Sequence, residues 1–184
     1  MRNKAEMPQG DLVERAIGGD KRAFGLLYER HLDAIYRYVF FRVGSPADAE
    51  DLTEDVFVSA WESLSGFQSS APGAFLSWLY RIAHNRVVDF YRKRRPQSLT
   101  SERLALEETG LPAVEETAFL NHVTARLTQA VLQLDDTEQQ VIILRFIEGL
   151  SHMEVAKIIG KSEGASRVIQ HRALLNLKAL LGDS

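Results

Sequence analysis

The chain has 184 residues, 45% of them hydrophobic and 26% charged, enough for one medium domain or two small ones. It has no cysteine, which excludes disulfides and thiolate metal sites. Its short apolar runs exclude a membrane-spanning segment, and the polar stretch from Met1 to Gly10 lacks the apolar core of a secretory signal, so a cytoplasmic protein is expected. The net charge of −3 does not by itself suggest a nucleic-acid binder; the segregation of charge along the sequence does.

Helical spacing dominates from the N-terminus onward. A short helix is expected over Asp11 to Ile17, stopped by Gly18 and Gly19. A longer one runs from Lys21 to Arg42, where Phe24, Leu27, Tyr28, Ile35 and Val39 recur at three- and four-residue steps. Ser45 and Pro46 read as a cap and a first helical residue, opening a helix to about Leu64. Ala49, Leu52, Val56, Phe57 and Ala60 face inward on it, and Asp48, Glu50, Asp51, Glu54 and Asp55 form an acidic outer face. Residues 65–73 are rich in turn formers.

The next helix, near residues 75–95, carries Leu79, Ile82, Ala83, Val87 and Phe90 as an apolar stripe. Its remaining surface offers Arg81, Arg86, Arg92, Lys93, Arg94 and Arg95, with Trp78, Tyr80 and Tyr91 interleaved. Basic charge with aromatic rings suits a phosphate backbone and unpaired bases; a solvated amphipathic helix is the plain alternative. Residues 96–116 hold five glutamates against one arginine between Pro96 and Glu116, and read as a flexible acidic linker.

The second domain is expected from Thr117, opening with a helix carrying Leu120, Val123, Leu127, Val131 and Leu134. Asp136 with Gln139 reads as the next capping box, closed by Gly149; Ser151 with Glu154 as another, closed by Gly160. Ser162 caps a last helix to Leu181. A short helix, the turn at Gly160, Lys161 and Ser162, and a longer helix have helix-turn-helix spacing. On the long helix Val168, Leu174 and Leu175 suit the core, leaving Ser166, Arg167, Gln170, His171 and Arg172 for bases and phosphates. Lys157, Lys161 and Lys178 extend the phosphate contacts.

The stretches DAEDLTEDVF (48–57) and FLSWLYRIAHNRVVDFYR (75–92), followed by the helix-turn-helix, occur in one order. Together they resemble the extracytoplasmic-function (ECF) sigma factors of bacterial RNA polymerase. The resemblance implies an all-α protein of two small helical domains: region 2 over residues 9–95, a linker over 96–116, and region 4 over 117–182. It implies a factor that binds core polymerase, directs it to −10 and −35 promoter elements and promotes melting. Asp48, Glu50, Asp51, Glu54 and Asp55 would dock on the β′ clamp helices, although the family's usual residue at position 54 is glutamine.

Phe67, Gln68, Arg81, His84, Asn85, Asp89 and Arg92 would engage the −10 element, with Trp78 assigned to the core. Ser166, Arg167, Gln170, His171 and Arg172 would read the −35 element. A contact with the polymerase β flap and an anti-sigma partner follow from the resemblance, not from any residue. The acidic linker is either a tether or a nucleic-acid mimic inside polymerase. The five histidines are scattered and no glycine loop has a phosphate-binding context, so no catalysis, metal or cofactor is expected. Two other readings compete: an autonomous helix-turn-helix regulator, and an adaptor that grips polymerase without reading DNA.

Overall fold

The structure is a computed structural model that describes residues 7–68, 71–94 and 115–182, and for 115–122 the backbone alone. In the N-terminal domain four helices pack together: α1 (Gln9–Ile17), α2 (Lys21–Val43), α3 (Pro46–Ser63) and α4 (Ala74–Arg94), with a 3-10 turn at Leu64–Gly66. Each boundary has a local cause. The Asp20 carboxylate accepts from the amides of Arg22 and Ala23 at the start of α2 (2.9 and 3.1 Å). Gly44 ends α2 at φ 76°, a left-handed conformation that favours glycine. Ser45 then accepts from the Asp48 amide, and Pro46 starts α3 where no amide is needed.

The core of this bundle is Leu12, Leu27, Ile35, Val39, Val56, Leu79 and Val87, each at most 1% exposed. All five inward residues expected on α3 are buried there. Two expectations about α4 change. Tyr80 is fully buried rather than exposed, and Arg86 is half-buried with its guanidinium donating to Ser59 Oγ on α3.

The C-terminal domain comprises α5 (Glu115–Leu132), α6 (Asp136–Ile142) with a π-helical turn (Ile143–Ile147), α7 (His152–Ile159) and α8 (Glu163–Gly182). The expected acidic linker lies outside the described residues except for Glu115 and Glu116, which belong to α5. Val123 on that helix is exposed, not inward. Ser151 and Glu154 form the expected capping box of α7, and Gly160 closes α7 at φ 67°.

The box on α6 is shifted by one residue: Asp135 is the cap and Glu138 its partner, because the chain is still extended at Asp135 (ψ 160°). The shift has consequences. It frees Asp136 to pair with Arg42 of the N-terminal domain. Gln139 donates instead to the carbonyls of Leu132 and Leu134, tying α6 to the end of α5.

The two domains pack on each other through α2 and α4 on one side and α5, the π turn and α7 on the other. Arg37 makes a two-pronged contact with Glu148 (3.0 and 2.9 Å), and the Tyr80 hydroxyl donates to the same carboxylate (3.1 Å). Arg42, 2% exposed, reaches Asp136 with one nitrogen and donates to Tyr38 Oη with another (3.2 Å). Burial pushes the Tyr38 hydroxyl up to about 12 and the Tyr80 hydroxyl up further, helped there by Glu148.

Candidate nucleic-acid interface

Three outward ridges of the fold carry part of the residues singled out in the sequence: Asp51, Glu54, Asp55, Arg81, Asn85, Arg92 and His171. On α3 the outward positions repeat at helical spacing through Ala47, Asp51, Glu54, Asp55, Val58 and Glu62. Glu50, Asp51, Glu54 and Asp55 are exposed along it. Asp48 differs, being half-buried and paired with Arg94 of α4 (3.1 Å). The sequence reading missed Val58, which stands 56% exposed among the carboxylates, and exposed Glu62. The ridge therefore offers negative charge around an apolar centre, the make-up of a protein-docking face.

On α4 the outward ridge is Arg81, Asn85, Val88 and Arg92, spaced four, three and four residues apart on the side opposite Leu79, Ala83 and Val87. Arg81 makes no ion pair among the described residues, and Arg92 makes a single one, with Asp89 (3.0 Å). That pair is exposed and weakly held, so Arg92 is available to a phosphate. Arg94 lies over the Phe90 ring at 4.4 Å.

Beside this ridge, Phe67, Phe75 and Trp78 form a ring cluster with centroids 5.0–5.8 Å apart. The cluster anchors the chain before α4 on the helix and holds exposed Gln68 next to it. Trp78 thus packs against its own domain, as expected. An open groove of ≈ 510 Å³ lies between α1 and the turn into α4, lined by Val13, Glu14, Ile17, Pro72 and Phe75. Sequence spacing gave no sign of it, because residues 13 and 72 meet only through the bundle.

His84 does not share the ridge. It is half-buried on the flank facing the C-terminal domain, with a buried Nδ1 that has no protein partner among the described residues. Burial first, then the nearby Arg42 charge, holds it below the ordinary histidine range; Asp136 opposes them weakly. Val88, 42% exposed, takes its place beside the arginines.

The helix-turn-helix is formed by α7 and α8, but the faces of α8 are turned relative to expectation. Its buried residues are Ser166, Ala173 and Leu177, whereas Val168, Leu174 and Leu175 are 68%, 41% and 55% exposed. Small residues let α8 lie close to α6 and α7. There Ser166 Oγ and His152 Nδ1 meet at 3.0 Å, enclosing Ser166. Gln170 is half-buried and accepts from Arg145 (3.1 Å).

Arg172 donates to Glu138 and Asp135, the two members of the α6 capping box, and Asn176 adds two bonds to Glu138. Burial alone would raise the Glu138 carboxyl. The bonds from Arg172, Asn176 and the Asp135 backbone outweigh it and leave the group below its ordinary range. Arg172 is thereby occupied in fastening α8 to α6. Arg167, paired with Glu163 at the surface, and His171 remain outward. The ridge that points directly away from the core is Gly164, Val168, His171 and Leu175.

Among the described residues no helix is long and apolar enough to cross a membrane. Residues 27–97 match the family model for sigma-70 region 2, and residues 130–179 that for sigma-70 region 4. The chain is 37% identical over 174 residues to the ECF RNA polymerase sigma factor BldN of Streptomyces coelicolor; the match covers 94% of this chain and 66% of BldN. It is 35% identical to the sigma factor CnrH of Cupriavidus metallidurans, with 92% of each chain covered. The solved structure of CnrH in complex with the cytosolic domain of CnrY superposes with a TM-score of 0.73 at 32% identity, covering 96% of this chain and 98% of that one.

Proposed function

Because the chain belongs to the ECF sigma factors, which bind core RNA polymerase and direct it to −10 and −35 promoter elements to start transcription, we propose that its three ridges divide that work. Asp51, Glu54 and Asp55, with Glu50 and Val58 beside them, dock on the polymerase clamp helices; Asp48 supports them through Arg94. Arg81, Asn85 and Arg92 hold the phosphates of the non-template −10 strand, and Phe67 with its neighbour Gln68 receives an extruded base, Phe67 packing on Phe75, whose ring lines the open groove. Arg167 and His171 meet the −35 duplex in the major groove. Ser166, Gln170 and Arg172 position that helix rather than touch bases.

The observation that carries this reading is the segregation of opposite charge onto adjacent helices of one bundle: carboxylates along α3, arginines along α4. A single face of mixed charge would serve neither partner. The protein acts as an initiation factor and not as a catalyst, in the cytoplasm where polymerase and promoter meet; its relatives' names support the former. The complex of CnrH with CnrY supports an anti-sigma partner for this chain as well, and its region 4 would supply the contact with the β flap.

The test is reconstitution with core polymerase on promoters found by transcript start mapping. Arg81→Glu with Arg92→Glu keeps core binding in a pull-down but loses permanganate reactivity of the −10 thymines. Asp51→Lys with Glu54→Lys loses core binding itself. Melting that survives the arginine reversal, or a failure of both activities in both variants, overturns the division.

A further inference from the structure

The outward ridge of α8 begins with a glycine and an exposed β-branched apolar residue, an unusual pair at the end of a helix meant for a polar groove. Gly164 lies in the first turn, where an added Cβ would meet only Ser162 Oγ at 4.0 Å, so packing does not require a glycine there. One turn later Val168 is the most exposed large hydrophobic side chain among the described residues, at 68%. Its surroundings are polar and basic: Arg167 beside it, His171 on the next turn, Arg172 there engaged with Glu138 and Asp135, and exposed Lys161 in the preceding turn of chain. The acid of that first turn, Glu163, is paired with Arg167.

An apolar side chain flanked by basic side chains fits the floor of the major groove of DNA. Phosphates line the walls of that groove, and its apolar group is the thymine 5-methyl. A protein partner that covered Val168 would have to accept the same basic flanks. The absence of a side chain at Gly164 lets the helix backbone approach the bases and brings the Val168 methyls within van der Waals reach. Leu175 continues the ridge, but beyond the first two turns, which are the ones that meet base edges.

We propose that Val168 is a specificity-determining residue that reads a thymine methyl in the −35 element, with Gly164 permitting the close approach. The proposal rests on the reading of α8 as the −35 helix. It predicts that an A·T pair is required at one or two positions for the methyl group and not for a hydrogen bond.

The test uses reconstituted holoenzyme on a linear promoter fragment in which each −35 thymine, on either strand, is replaced singly by 2′-deoxyuridine. This removes the methyl and leaves base pairing intact. At one or two positions the wild-type holoenzyme should form open complexes about fourfold more weakly, the value of one buried methyl group. Val168→Ala should show a similar loss on the thymine template and no further loss with deoxyuridine, so that the two changes are not additive. Because Val168 is exposed, this truncation leaves the core intact.

Deoxyuridine without effect at every −35 position overturns the proposal, as does a deoxyuridine effect that persists undiminished in Val168→Ala. A uniform loss on all templates in that variant also overturns it and assigns Val168 to a protein contact. Transcription that no base change anywhere in the −35 element alters is a separate outcome. It overturns the assignment of α8 as the −35 reader.

Discussion

His31 shows how a single side chain of this bundle sets a response to pH. It sits on α2 at 6% exposure, its ring 5.7 Å from that of Phe75, and its Nε2 has no protein partner among the described residues. Burial first, and the Arg30 charge second, lower its pKa from 6.5 to about 4. The folded protein therefore keeps His31 neutral where the unfolded chain protonates it. Above pH 6.5 both states are neutral and the residue is indifferent. As pH falls from 6.5 towards 4 the unfolded state gains a proton that the folded state refuses, and stability drops. At pH 5 the loss is about 2 kcal/mol. His31→Leu removes the proton site while keeping an apolar body. Unfolding free energies from urea titrations at pH 7 and pH 5 should therefore lie closer together in the variant than in the wild type by that amount. Equal pH sensitivity in both would show that His31 is not the group that titrates.

At the scale of the helix, the ends are where the sequence speaks most directly. Ser45 with Pro46, Ser151 with Glu154, and Gly160 are each legible because a cap is a local bargain between neighbouring residues and backbone amides. Gly160 makes the turn between α7 and α8 at φ 67°, and an alanine there takes on the left-handed strain, about 1–2 kcal/mol. Gly160→Ala should lower the melting temperature of the protein and weaken −35-dependent transcription, while open-complex formation on a template already unpaired at the −10 element stays near wild type. Loss of both would place the fault outside the turn. Helix faces were harder to read than helix ends. The apolar residues of α8 suggested a core of Val168 and Leu175, yet the buried positions are Ser166, Ala173 and Leu177. Close packing against α7 selected small side chains, which hydrophobic periodicity ignores, and left valine and leucine outward. The same limit applied to Tyr80. Its ring is amphipathic, so only the position of Glu148, 68 residues away, decides that it is buried.

At the scale of the molecule, no sequence pattern pairs Arg37 with Glu148, because the two stand 111 residues apart on helices with their own local logic. Yet this pair, together with Arg42 and Asp136, closes the two domains into one body. A folded body made of the described residues is on the order of 40 Å across. Promoter elements centred near −10 and −35 lie on the order of 85 Å apart at 3.4 Å per base pair. The closed arrangement cannot reach both, so the domains must part when the factor binds polymerase and promoter. The ion pairs that resist parting are of a suitable strength for a latch. Arg37 is 46% exposed but Glu148 only 3%, so their pair is worth about 1 kcal/mol or more, at least a roughly fivefold shift between closed and open forms. Since the chain has no cysteine, Ser63→Cys with Ala179→Cys gives a labelled pair, one site on each domain, for energy transfer. Transfer should be high in the free protein and fall on addition of core polymerase. Arg37→Glu should lower it in the free protein, and adding Glu148→Lys should restore it, because the swap re-forms an opposite-charge pair across the same gap. Unchanged transfer in Arg37→Glu would mean that apolar contact, such as that of Leu132 against Gly44, holds the domains together without the latch.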